Sequence, residues 1–111
     1  MKTPEEWNDT NARDELNDAV LESGLRMEWA TVERRDFRGD VVVSVVLYPG
    51  YTHDEHLDFE NGLNFMYDSG YGEQELFGFI GLSCGAWLER KEHDGSECWA
   101  FKQYPNAPVR P

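Results

Sequence analysis

Two cysteines, Cys84 and Cys98, are all that this chain of 111 residues contains. They are too few for a disulfide framework and lack the second pair that a four-ligand zinc site needs, so reduced thiols are expected. Long apolar runs are missing as well, none approaching the roughly 18 residues of a membrane span. The opening Met1-Lys2-Thr3-Pro4-Glu5-Glu6 leads into a polar helix rather than a secretory signal, which implies a cytoplasmic protein with no membrane partner. Basic residues are scarce: 10 Lys and Arg stand against 22 Asp and Glu, a formal charge of −12. From Asp40 to Glu89 nine acidic residues occur with no Lys or Arg among them. Because phosphate contact requires cationic side chains, such a field disfavours direct binding of DNA or RNA.

Core-forming material is nonetheless plentiful. At 40% hydrophobic and 14% aromatic residues the chain is too rich in apolar side chains for a disordered acidic tail, and its length suits one domain that buries its own core. The expected organisation is a single domain over 1–104 with a Pro-rich tail over 105–111. Thr3, Pro4 and Glu6 have the spacing of a helix start, and Trp7, Ala12, Leu16, Ala19, Val20 and Ser23 recur at three- and four-residue steps up to Gly24. This predicts one helix from Pro4 to Ser23, with Asn8-Asp9-Thr10-Asn11 as the point where it would break in two and restart at Thr10.

Beyond Gly24 the period changes to that of strands. Met27 to Arg34 and Asp40 to Tyr48 read as two strands joined by a turn near Arg38-Gly39. Leu57, Phe59, Leu63, Phe65 and Tyr67 alternate with polar positions and predict a third strand, although Asn61-Gly62 could instead fold it back as a hairpin. Leu76 to Glu89 reads as one long strand with bends at its glycines, and Glu97 to Gln103 as the last. A hairpin turned by Asp94-Gly95 sets Lys91 opposite Cys98, with Ala86, Leu88, Trp99 and Phe101 on one face and Trp87, Ala100 and Lys102 on the other. Cys84 and Cys98 then point to opposite sides and cannot bridge. The fold class is α+β: an N-terminal helix followed by an antiparallel β-meander of about five strands.

Two imidazoles and three carboxylates fall within His53-Asp54-Glu55-His56-Leu57-Asp58, a composition that a metal site or an acid/base pair could use. Coming after Tyr48-Pro49-Gly50-Tyr51, the run reads as an exposed loop without the regular element that would aim two histidines at one ion. Gly70-Tyr71-Gly72 lacks the lysine and strand-to-helix setting of a phosphate loop. No catalytic residue, metal ligand or cofactor site is therefore assigned, and the chain is read as a binding protein rather than an enzyme. A field of one sign attracts basic proteins, including those whose grooves accept phosphate, and aromatics beside carboxylates make an interaction surface. The partner-binding residues expected on this ground are Asp54, Glu55, Asp58, Glu60, Asp68, Tyr71, Glu73 and Glu75.

One resemblance extends the reading. Asp68-Ser69-Gly70-Tyr71-Gly72, Gln74, Leu76-Phe77-Gly78, Ile80, Trp87, Arg90, Asp94-Gly95-Ser96-Glu97 and Trp99 form a string, between Tyr67 and Tyr104, that resembles small uncharacterised acidic proteins of bacteriophages and prophages. The resemblance implies a mobile-element setting in the host cell cytoplasm. Short acidic proteins there often inhibit host defence or nucleic-acid machinery, some by mimicking DNA. The expected function is accordingly an acidic inhibitor, anti-CRISPR-like or anti-restriction-like, that occupies the basic surface of a host protein. The alternative is an acidic accessory or self-assembling protein with no inhibitory role, and a homodimer is compatible with either.

Overall fold

In the computed structural model, residues 9–70 and 73–105 are described. Among the described residues seven strands and two α-helices follow one another as β1 (Asp9–Asn11), α1 (Ala12–Ser23), β2 (Met27–Arg35), β3 (Val41–Leu47), α2 (His53–Gly62), β4 (Met66–Asp68), β5 (Leu76–Leu82), β6 (Ala86–His93) and β7 (Ser96–Gln103). Five strands make one antiparallel sheet in the order β3-β2-β5-β6-β7, while β1 and β4 pair separately. The class is α+β, as expected. The layout is not a simple meander, because β5 returns beside β2 after the excursion through α2 and β4.

The first helix is shorter than its periodicity suggests. Asn11 is the N-cap, its side chain accepting the Asp14 amide at 3.1 Å, and Asp9 and Thr10 before it are extended, with Thr10 paired to Tyr67. Ala12 and Arg13 then donate their backbone amides to the Phe65 and Leu63 carbonyls, both at 3.0 Å. Helix starts leave such donors without an internal partner, and here another segment supplies it. Asp9 to Asn11 of the turn-forming run are therefore extended rather than inside a helix; Pro4 to Asn8 lie outside the described residues. Gly24, at φ 70°, closes α1 in the left-handed conformation expected of it.

The expected third strand is largely a helix. Thr52 accepts the Glu55 amide while the Glu55 side chain accepts the Thr52 amide, a complete capping box that starts α2 at His53. Its buried positions, Phe59 and then Leu63 just past its end, are four apart, so the helical period prevails over the two-residue alternation of Leu57 and Phe59. The His53 to Asp58 run is thus helical, not a loop. Gly62 is its last residue rather than a hairpin turn, lying so close to Val45 that a Cβ would come within 2.5 Å of that side chain. The predicted Leu76 to Glu89 strand is likewise two strands, separated by a 3₁₀ turn at Ser83–Gly85 in which Cys84 has φ 63° and Gly85 φ 73°.

The Asp94-Gly95 hairpin has the expected register, with Lys91 opposite Cys98 and Leu88 opposite Phe101. Both cysteines are free and exposed. Cys84 stands in the tight turn rather than in a strand, so its separation from Cys98 does not rest on strand alternation. Leu16 of α1 and Phe59 of α2 meet Ala30, Val32, Leu47, Ile80, Leu82 and Leu88 in one core. Both helices therefore cover the same face of the sheet, and among the described residues no helix covers the other face. No helix among the described residues is long and apolar enough to cross a membrane.

Candidate functional site

Among the described residues, six of the eleven exposed carboxylates lie on the helical layer. Asp14, Asp18 and Glu22 follow at four-residue steps on α1, and Asp54 and Asp58 do so on α2. Residues so spaced lie above one another on a helix surface. Asp14, Glu15, Asp54 and Glu55 occupy first turns, where carboxylates interact favourably with the helix dipole. The Asn17 side chain donates to Glu60 Oε1 at 3.2 Å and ties the two helices side by side. Within the two helices eight carboxylates face a single guanidinium, Arg13, which is held by Asp14 at 3.2 Å. Leu21, 80% exposed, is a large apolar side chain within this acidic layer.

Between α1 and the edge strand β7 runs an open groove of about 650 Å³, with Asp14, Asp18, Glu22 and Ala19 on the helix side and Trp99 on the other. Glu15, which also lines this groove, belongs to a buried ion cluster. The Arg90 and Glu97 side chains are each 2% exposed and meet at 2.8 Å, while Arg90 Nη1 donates to Glu15 Oε1 at 2.8 Å. Arg90 also donates to the Tyr67 hydroxyl, which donates in turn to Glu15. Glu97 accepts the backbone amides of Glu75 at 2.7 Å and Leu76 at 3.1 Å, locking the start of β5 onto the cluster. Burial raises the Tyr67 phenol far above its ordinary value; Arg90 opposes the shift, and Glu15 and Glu97 add to it. For Arg90 burial works against the charge, but Glu15, Tyr67 and Glu97 outweigh it and the guanidinium is held more firmly protonated than usual. Charged Arg90 and neutral Tyr67 are thus the resting forms, and the cluster fixes Glu15 and the first turn of α1 in place.

The expected partner-binding residues divide into two groups. Asp54, Glu55, Asp58 and Glu60 share α2. Asp68, Glu73 and Glu75 gather instead near the Arg34–Arg35 end of β2. Glu75 is paired with Arg34 at 3.0 Å, and Asp68 accepts the Gly70 amide at 3.0 Å within its own turn. Tyr71 lies outside the described residues. The segment from Asp40 to Glu89, free of cations along the chain, is therefore not free of them in space, because Arg34 and Arg90 fold into it. His56 sits 3.6 Å from Glu60 and stacks at 5.6 Å on Tyr51, within the helix rather than in a loop. Among the described residues no group of three or more His, Cys, Asp or Glu could hold a metal ion.

Two features lie beyond the expected set, the α1 stripe and the buried cluster. The cluster has a signal in the sequence. In the Asp94-Gly95 register, Ala86, Leu88 and Arg90 share the inward face with Trp99 and Glu97, so alternation alone carries a cation and an anion into the interior together. No family model, curated protein or solved structure matches the chain.

Proposed function

We propose that the chain is a binding protein of a phage or mobile-element setting whose helical face occupies a basic, nucleic-acid-binding surface on a host protein, inhibiting it without catalysis. The observation that carries this reading is the side-by-side placement of α1 and α2, whose exposed carboxylates are Asp14, Asp18, Glu22, Asp54, Glu55 and Asp58. Asp54, Glu55 and Asp58 on α2 and Asp14, Asp18 and Glu22 on α1 are the contacting charges, and Leu21 is an apolar anchor within their field. The groove beside Trp99 fits a lysine or arginine side chain entering between the α1 carboxylates and the indole. Asp68, Glu73 and Glu75 contribute less in this reading, since Arg34 already neutralises part of their charge.

Electrostatic capture has a salt signature. The Debye length falls from about 10 Å at 0.1 M to about 3 Å at 1 M, so a host protein retained on the immobilised chain at low salt should be released at high salt. It should also be displaced by duplex DNA. The triple variant Asp14→Lys, Asp18→Lys, Glu22→Lys and the double variant Asp54→Lys, Asp58→Lys should each abolish capture. A partner that ignores both variants, salt and DNA would reverse the conclusion and leave the charge a solubilising role, as in an accessory or self-assembling protein.

A further inference from the structure

β3 is an edge strand of the sheet, and among the described residues no strand pairs with its outer side. It reads Val41-Val42-Val43-Ser44-Val45-Val46-Leu47, with no charge and no proline in a chain of net charge −12. Edge strands normally carry lysine, proline, a bulge or another device against pairing with a second chain, and of the first three β3 has only an irregularity at its start. Val42 and Val46 are 55% and 45% exposed. An irregularity opposite Arg34 and Arg35 leaves Val43 to Leu47 as the regular part.

The orientation of the free backbone groups follows from the ladder. Arg35 donates its amide to the Glu75 carbonyl at 2.8 Å, on the β5 side. Alternation in antiparallel pairing then turns the backbone groups of Ala30, Val32 and Arg34 toward β3, where their partners are Leu47, Val45 and Val43. Ser44 and Val46 consequently aim their N–H and C=O groups outward. The side chains are almost symmetric about Ser44: valine on both sides at one step, valine at two, and valine or leucine at three.

We propose that β3 pairs with β3 of a second copy of this chain, antiparallel about a two-fold axis through Ser44. Ser44 then faces Ser44 of the second copy as a hydrogen-bonded pair, Val43 faces Val45, and the two sheets become one of ten strands. The stretch Val43 to Val45 is regular and self-complementary about Ser44, as an isologous interface requires. The strand is also an uncharged line along which two like-charged molecules can approach. A single short edge pairing falls below the roughly 800 Å² per partner of a standard interface, so the dimer is a weak one. Because both copies are acidic, it strengthens with added salt, whereas binding through the helical face weakens.

Analytical ultracentrifugation from about 1 μM to about 1 mM tests the pairing; the mass should double across the range, at lower concentration as salt is raised. Ser44→Lys places like charges directly opposite each other and should hold the protein monomeric, as should Ser44→Glu. Mixed in equal amounts, the two variants should form a heterodimer. A wild-type chain that is monomeric throughout, a Ser44→Lys variant that still dimerises, or a mixture of folded variants that stays monomeric would each overturn the proposal. Amide hydrogen exchange of the wild-type chain needs no variant: the Ser44 amide should gain protection as concentration rises, and unchanged exchange would equally overturn the proposal.

Discussion

Replacing Arg90 by methionine removes the cation from a cluster whose other members cannot leave. Glu97 stays 2% exposed and held by two backbone amides, and Glu15 stays hydrogen-bonded to Tyr67. Breaking a buried ion pair from one side costs about 3–5 kcal/mol, because the remaining charge has lost its partner but not its burial. Against a total stability of about 5–15 kcal/mol for a domain of this size, that is a large share. The midpoint of thermal unfolding should fall by about 15–25 °C. Urea unfolding followed by tryptophan fluorescence measures the loss, with Trp99 5.0 Å from the guanidinium as a nearby reporter. Adding Glu97→Gln to Arg90→Met should cost less than the sum of the single changes, by about 1–3 kcal/mol, since the second change removes the orphaned charge. A loss below about 1 kcal/mol with an unchanged denaturant slope would refute the reasoning, because a fully buried, charged Arg90 cannot be removed so cheaply.

Further outcomes follow from the same geometry. Tyr67 keeps its proton in the folded chain above the value near 10 at which an unfolded phenol loses it; stability is therefore complete below about pH 10 and declines as pH rises beyond it. Tyr67→Phe should remove part of that alkaline slope in denaturation measured between about pH 9 and pH 11, and an unchanged slope would mean that the phenol is not what titrates. Gly78→Ala should be more damaging than Gly81→Ala. A Cβ at Gly78 would lie 2.1 Å from the Thr31 carbonyl oxygen, which cannot yield, whereas one at Gly81 strikes the Trp29 indole at 1.9 Å, a side chain on the face opposite the helices that can swing aside. Overpacking costs typically about 1–3 kcal/mol, with Gly78→Ala at or above the upper end, and equal losses in urea denaturation would contradict the distinction.

Local chemistry determined much of this protein directly. The Asp94-Gly95 turn set the β6–β7 register, Gly24 ended α1, and the charge-free β3 was legible as a strand, because each depends on residues adjacent in the chain or directly across a short turn. The α+β class and the acidic character followed in the same way. Tertiary structure decided the rest. His53 to Gly62 carries both a two-residue and a four-residue apolar pattern, and the packing of Phe59 and Leu63 into the shared core selected the helix. Asp9 to Asn11 became a strand because β4 lay within reach to pair with it. The candidate site shows the same division. Its charges could be counted along the chain, but which acids stay unpaired depends on where Arg34 and Arg90 fold, and both reach carboxylates more than forty residues away in sequence, Glu75 and Glu15. Coulomb interactions act through space rather than along the chain, so a segment without cations became a surface only in part, and the helical face emerged from two segments that the sequence keeps 29 residues apart, from Ser23 to His53.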